Sequence, residues 1–253
     1  MTKLYHIGFG ISDLGTKPPQ VALLSGDPGR AKHIAEEYLS DVKTLSENRG
    51  LFSYLGFLGD KAVLSATSGM GAPSLSIIVN ELVQVGINTI VRIGTTGSIQ
   101  DDVKAGSIVI SSAALTRQGA ANDVAPVEYP AVADPFLTVK LAETAQALGA
   151  DYHVGITASV DNFFEGQGRV GSANPYLIRA QQGVIEEYQH LNILNFEMEA
   201  GTLFKMGSVY DFKAACVCGV IAERTDAEGI VLERKDQAVK NAIKVALKTV
   251  EGL

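Results

Sequence analysis

The sequence predicts an α/β fold built around one core, and three observations carry this. A chain of 253 residues suits one domain of this class better than two small ones. Apolar, β-rich runs alternate along it with segments of helical period. Its 26 glycines supply the tight strand-to-helix turns that such alternation needs.

The first strand is expected at 21–25, "VALLS", and the first helix over 30–40, where Ile34, Ala35 and Tyr38 share a face. The run "KAVLSATS" (61–68) predicts a second strand, and "SLSIIVNELVQVG" (74–86) a helix stopped by Gly86. Strands follow at 88–94 and 107–115. Residues 135–149 open on Pro135 and close on Gly149, the asymmetry of a helix start and stop. Strands at 153–160, 193–199 and 213–222 come next, and from Glu233 to Leu253 apolar residues repeat at three and four as in a helix. Residues 117–134 and 163–176 hold no sustained period and read as long loops, which in a compact domain are usually binding or lid elements.

A net charge of -7 argues against a nucleic-acid partner, whose phosphate backbone is met by clustered Lys and Arg, so an anion must be met by a local site. No stretch reaches the roughly 18 apolar residues of a membrane span, and "MTKLYHIGFG" lacks a signal-peptide core. A cytoplasmic protein without a membrane partner is expected. Cys216 and Cys218 lie two apart in an apolar run and so share a sheet face, where disulfide geometry is poor; they read as buried structural thiols. His6, His33, His153 and His190 show no ligand spacing, so no metal is expected.

The chemistry concentrates in a few segments. In "VRIGTTGSIQ" (91–100), Arg92 interrupts a buried run just before glycines and hydroxyls. A buried guanidinium stays charged, so it must meet a carboxylate or an anionic ligand. The "GTTG" that follows reads as a loop whose N–H groups, with the Thr95 and Thr96 hydroxyls, suit an oxyanion. "SGDPGR" (25–30) repeats the pattern, with Gly26 and Gly29 in a turn and Arg30 at a helix start, where anions are favoured. Either arginine can instead pair with an internal acid, Asp27 being the candidate for Arg30. With only eight arginines in the chain, two such elements favour a shared phosphate pocket. In "NFEMEA" (195–200), Glu197 and Glu199 would leave a regular strand on one face, with Met198 opposite, and could grip vicinal sugar hydroxyls. In "EGQGR", Gln167 and Arg169 offer donors to the edge of a planar heterocycle.

Taken in order, "SGDPGR", "RIGTTGSIQ", "APVEYPAVAD", "FFEGQGR", "NFEMEA" and "CGVIAERT" resemble the uridine phosphorylases of the nucleoside phosphorylase family, and the resemblance runs essentially end to end. It implies a single domain over 1–253: a central mixed, distorted barrel-like sheet flanked by helices in three α/β/α layers. It implies a pentosyltransferase that reversibly converts uridine with phosphate to uracil and ribose 1-phosphate, with deoxyuridine and thymidine as further candidate substrates. Phosphate would be held by Gly26, Arg30, Arg92 and Thr95, with Arg49 reaching in from a neighbouring subunit. The base would meet Phe163, Gln167, Arg169, Ile221 and Arg224. Ribose would meet Met198 and Glu199, with Glu197 beside them and the partner chain's His6 at the 5′-hydroxyl. Arg92, Arg30, Gln167, Arg169 and Glu199 would carry catalysis. The family's active unit is a dimer with shared sites, commonly three dimers in a hexamer, and needs no cofactor beyond phosphate as co-substrate. Gly50 stands where bacterial members carry a glutamate that helps bind a monovalent cation, which argues against that cation here. A purine nucleoside phosphorylase of the same fold is the alternative enzyme; Gln167 with Arg169, and "AERTD" in place of a Ser-Asp pair, count against it. A nucleoside-binding homologue without turnover is the alternative from another class.

Overall fold

A computed structural model describes residues 3–225, 229–230 and 232–253, the backbone alone for Gly229, Ile230 and Leu232. The chain opens with β1 (Val21–Ser25), α1 (Pro28–Tyr38) and an antiparallel run of β2 (Ser40–Ser46), β3 (Ser53–Leu58) and β4 (Lys61–Thr67). Then come α2 (Ala72–Gln84), β5 (Thr89–Ser98), β6 (Ile108–Arg117), α3 (Gly119–Val124), α4 (Pro135–Ala147) and β7 (Tyr152–Val160). The rest comprises α5 (Val184–His190), β8 (Ile193–Glu197), α6 (Ala200–Tyr210), β9 (Lys213–Glu223), β10 (Gly229–Ile230) and α7 (Leu232–Glu251).

These strands form one mixed sheet ordered β10-β9-β6-β7-β8-β5-β1-β4-β3-β2, and an added β9–β5 pairing closes the five strands β9, β6, β7, β8 and β5 into a barrel. β5 lies parallel to β1 and β9 and antiparallel to β8 at its far end. Alternation along β1 sends Ala22 and Leu24 to one face and Val21 and Leu23 to the other. The first face packs on α2 and α6 through Leu75, Ile78, Leu203 and Phe204; the second packs on α1, α4 and α7 through Ile34, Leu141 and Ile243. Helices thus cover both faces of the sheet, as expected.

Three sequence expectations are corrected and one unassigned stretch is filled. "GTTG" is not a loop: β5 runs through it to Ser98, because β9 continues to pair alongside with a bulge between Thr96 and Gly97. Gly94 is there for close approach, since a Cβ would stand 2.7 Å from Cys218 Sγ and 3.1 Å from Arg92 Nη2. The segment 117–134 contains α3, too short to show a period, while 163–176 holds only the short turn Glu165–Gln167. The strand expected at 193–199 stops at Glu197. Finally, β2 and β3 replace an unassigned stretch. β2 is an exposed, polar strand at the end of the sheet, and β3 carries Gly56, where a Cβ would meet Leu39 at 2.8 Å; neither reads as a regular apolar run.

Candidate active site

β5 carries Arg92 into the centre of the sheet, level with Leu24 of β1 and Cys216 of β9, where it is 4 % exposed. The guanidinium meets acids. Its Nε donates to Glu197 at 3.3 Å, and its Nη2 makes a very short hydrogen bond to Glu199. Glu197 ends β8 and also accepts from Ser159 Oγ, from Glu199 N at 2.8 Å and from Ala200 N at 2.9 Å. Glu199 sits at the N-cap of α6 and accepts from Gly71 N at 2.6 Å. The two carboxylates therefore converge on Arg92 from a strand end and a helix start, rather than from one strand face. Both alternatives for Arg92 hold in part. Its Nε and Nη2 are taken by internal acids, while its buried Nη1 has no partner among the described residues.

Arg30 lies in the first turn of α1, whose N-cap Asp27 accepts from Gly29 N at 2.8 Å and forms no ion pair with Arg30 among the described residues. Arg30 Nη1 donates to Ile93 O at 3.1 Å, and its Nε, shielded from solvent, has no described partner. Burial pushes the Arg30 guanidinium below its usual range; Asp27 opposes this and the Arg92 charge adds to it. Burial also pushes Arg92 down, but Glu199 and Glu197 prevail and hold it above its ordinary value. Glu197 is raised by burial, against the pull of Arg92, with Glu199 adding to the rise. Two arginines and two glutamates thus share one buried cluster, with one solvent-shielded nitrogen of each arginine lacking an acceptor among the described residues.

These groups form the floor of a cavity of about 860 Å³, within the range typical of small-molecule sites. It brings together every expected site residue except His6: Gly26, Arg30, Arg49, Arg92 and Thr95; Phe163, Gln167, Arg169, Ile221 and Arg224; Glu197, Met198 and Glu199. Gln167 is 3 % exposed, and Arg224 Nη2 donates to its backbone oxygen at 2.8 Å. Arg169 lies over the Phe163 ring, 4.4 Å from its centroid, with its Nε on Phe163 O and its Nη2 3.4 Å from Gln167 Oε1. Arg49 lines the cavity of its own chain, from the short turn Asn48–Gly50. His6 lines a second cavity of about 430 Å³, with its Nδ1 2.6 Å from Glu81 Oε1. Asp226 of "AERTD" lies outside the described residues.

Several supporting residues escaped the sequence reading. Gln118, fully buried, donates to Met198 O at 2.6 Å and accepts from the Thr202 N–H and hydroxyl, tying the 117–134 segment to the start of α6. Lys205 Nζ, also buried, holds Pro126 O at 2.6 Å and Ala125 O at 3.2 Å, and burial lowers its ammonium pKa. Ser159 and the Gly71 N–H complete the glutamate cluster. A lysine inside an apolar helix was the one available signal. Cys216 and Cys218 are buried thiols 3.6 Å apart, as expected, and their mutual hydrogen bond and burial hold Cys216 well above the usual thiol range.

A barrel-centred sheet with a cationic floor, a recessed amide and paired carboxylates defines a class, and the chain belongs to the phosphorylase superfamily, whose family model matches residues 20–251. Within it, the chain is similar to the uridine phosphorylase of Salmonella typhimurium, at 38 % identity over 99 % of this chain and 98 % of that one. It is similar also to those of Haemophilus influenzae, at 36 % identity over 100 % and 99 %, and of Escherichia coli, at 37 % over 99 % and 98 %. Among the described residues, no helix is long and apolar enough to cross a membrane.

Proposed function

We propose that this chain is a pentosyltransferase that catalyses the reversible phosphorolysis of uridine to uracil and ribose 1-phosphate. The observation that carries the reading is a pair of buried donors without acceptors among the described residues, Arg30 Nε and Arg92 Nη1, in the same cavity as Gln167. Buried polar groups are rarely left unsatisfied, and an oxyanion satisfies both at once. Phosphate would sit over these nitrogens, beside Gly26 and Thr95, with Arg49 reaching in from a neighbouring subunit. A Cβ at Gly26 would lie 3.8 Å from Arg92 Nη1, so glycine keeps the approach open.

Each group then has a part in the chemistry. As the glycosidic bond breaks, positive charge grows on ribose and negative charge on the base. The phosphate stabilises the first and attacks the anomeric carbon. Gln167 and Arg169 hold the uracil edge, Phe163 its face, and Ile221 the pocket wall; Arg224 acts by fixing the Gln167 backbone. Met198 and Glu199 face the ribose. Glu197, whose oxygens already accept four donors, orients Arg92 instead of binding sugar. Holding the phosphate in line accounts for much of the rate, because positioning removes an entropic barrier. Residues 1–253 act as one cytoplasmic domain, in a homodimer with shared sites assembled as three dimers, where His6 serves the partner's ribose. Inorganic phosphate is the co-substrate and no cofactor is required.

The test is phosphate-dependent release of base from uridine, thymidine and inosine, compared between the parent and Gln167→Ala. Release from uridine is expected to exceed that from inosine, and the variant should weaken uridine while leaving phosphate KM within about twofold. Preferential cleavage of inosine would transfer the chain to the purine branch, and no cleavage of any would remove the enzyme reading.

A further inference from the structure

We propose that Asn48 is a positioning residue for Arg49, locking the turn that carries this arginine onto the N-terminal turn of the same chain; the proposal rests on the reading of Arg49 as a phosphate ligand. Arg49 is exposed at the cavity rim, so its backbone, more than side-chain packing, decides where the guanidinium reaches. That backbone is left-handed at two successive residues, with φ of 57° at Arg49 and 75° at Gly50. A non-glycine residue there is held against a cost of about 1 kcal/mol. Local bonds from Gly50 N to Glu47 O and from Leu51 N to Asn48 O close the turn but do not aim it.

The aim comes from Asn48. Its amide nitrogen donates both protons, to Tyr5 O at 2.7 Å and to His6 O at 3.0 Å, more than 40 residues away in the chain. Gly8 lets the two segments touch, since a Cβ there would stand 2.4 Å from Ser46 Oγ, and the same hydroxyl accepts from Asn48 N at 3.1 Å. The N-terminal turn is itself fixed. Glu81 of α2 accepts from His6 N at 3.0 Å, Ile7 N at 2.8 Å and His6 Nδ1 at 2.6 Å, and Ile7 and Phe9 are buried beside it. An unbroken path of hydrogen bonds thus runs from α2 through residues 6 and 7 to Asn48, one residue from the arginine in the cavity.

Steady-state kinetics with uridine and phosphate test this. Asn48→Ala should raise the phosphate KM about tenfold, the effect of losing two hydrogen bonds of ordinary net strength to the N-terminal turn, while kcat at saturating phosphate stays within about twofold. Asn48→Leu, close to isosteric but without donors, should do the same. In an Arg49→Ala background, Asn48→Ala should add less than about twofold, because the group it positions is gone. A phosphate KM that moves less than about threefold in both variants overturns the proposal, as does an equal rise with and without Arg49 or failure of both variants to fold. If Arg49→Ala alone leaves the phosphate KM unchanged, the assignment of Arg49 fails, which is separable from absence of phosphorolysis in the parent.

Discussion

Replacing Arg92 by alanine removes the cation that pairs with both Glu197 and Glu199, which are 3 % and 4 % exposed. Breaking a buried charge cluster by deleting one partner costs about 3–5 kcal/mol, because the remaining charges stay desolvated. In a chain of this length each kcal/mol moves the melting midpoint by roughly 2–4 °C, so a fall of roughly 6–20 °C is expected near neutral pH. Activity should vanish, but so should much of the stability, and the loss carries a sign with pH. Burial already pushes Glu197 upward while Arg92 holds it down. Without Arg92 that downward pull is gone, and the buried Glu197 carboxyl takes up a proton well above the usual carboxylate range. The native state then binds more protons than the unfolded chain, so stability falls as pH rises and returns as pH drops. Circular-dichroism melts from about pH 5.5 to about pH 8 read this directly, as a gap between variant and parent that narrows towards acid. Added phosphate should raise the parent midpoint by mass action and leave the variant where it was. A variant midpoint within about 2 °C of the parent, or a gap independent of pH, refutes the cluster as the source of this stability.

Gly219 of β9 lies under α7, where a Cβ would stand 2.7 Å from the Ala238 carbonyl carbon and oxygen. Gly219→Ala must displace helix backbone, so a loss of about 1–3 kcal/mol is expected in thermal melts, and an unchanged midpoint would contradict this packing. For Glu81, burial pushes the carboxyl up, but hydrogen bonds from the Ile7 and His6 backbone and the His6 ring hold it below the usual range. A depressed acid contributes fully above its unfolded value of about 4.3 and loses that contribution as pH falls through the lower native value. Amide exchange at His6 and Ile7 should therefore stay protected at mildly acidic pH and open below about pH 4, and Glu81→Gln should open them at neutral pH; equal protection in parent and variant would rule out the anchor.

What the sequence made legible follows from which forces act locally. Val21–Ser25 matched its strand because a buried run flanked by a turn and a helix leaves few options. Pro135 marked the start of α4 as expected, whereas the helix expected from Arg30 begins two residues earlier, at Pro28, because Asp27 caps it. α6 stayed hidden because Ala200–Gly207 is buried on every side, which erases the amphipathic period. The glycines of "GTTG" misled for a similar reason: a residue chosen for close packing looks the same in sequence as one chosen to turn the chain. In the site, the arginines and the Gln167 segment could be named because charged and amide groups inside apolar surroundings are conspicuous. The partnership of Arg92 with both glutamates spans more than 100 residues and depends on how β8 and β5 meet, which no local pattern encodes.

β5 has neighbours on three strands, β1, β9 and β8, and the barrel closes through it. Segments woven this deeply into a sheet are the last to come apart, whereas the 163–176 stretch has little regular structure to hold it. The two halves of the cavity therefore differ in permanence. The arginine floor would survive partial openings that scatter Phe163, Gln167 and Arg169, so the proposed anion site would outlast the proposed base site in a molecule caught mid-fluctuation.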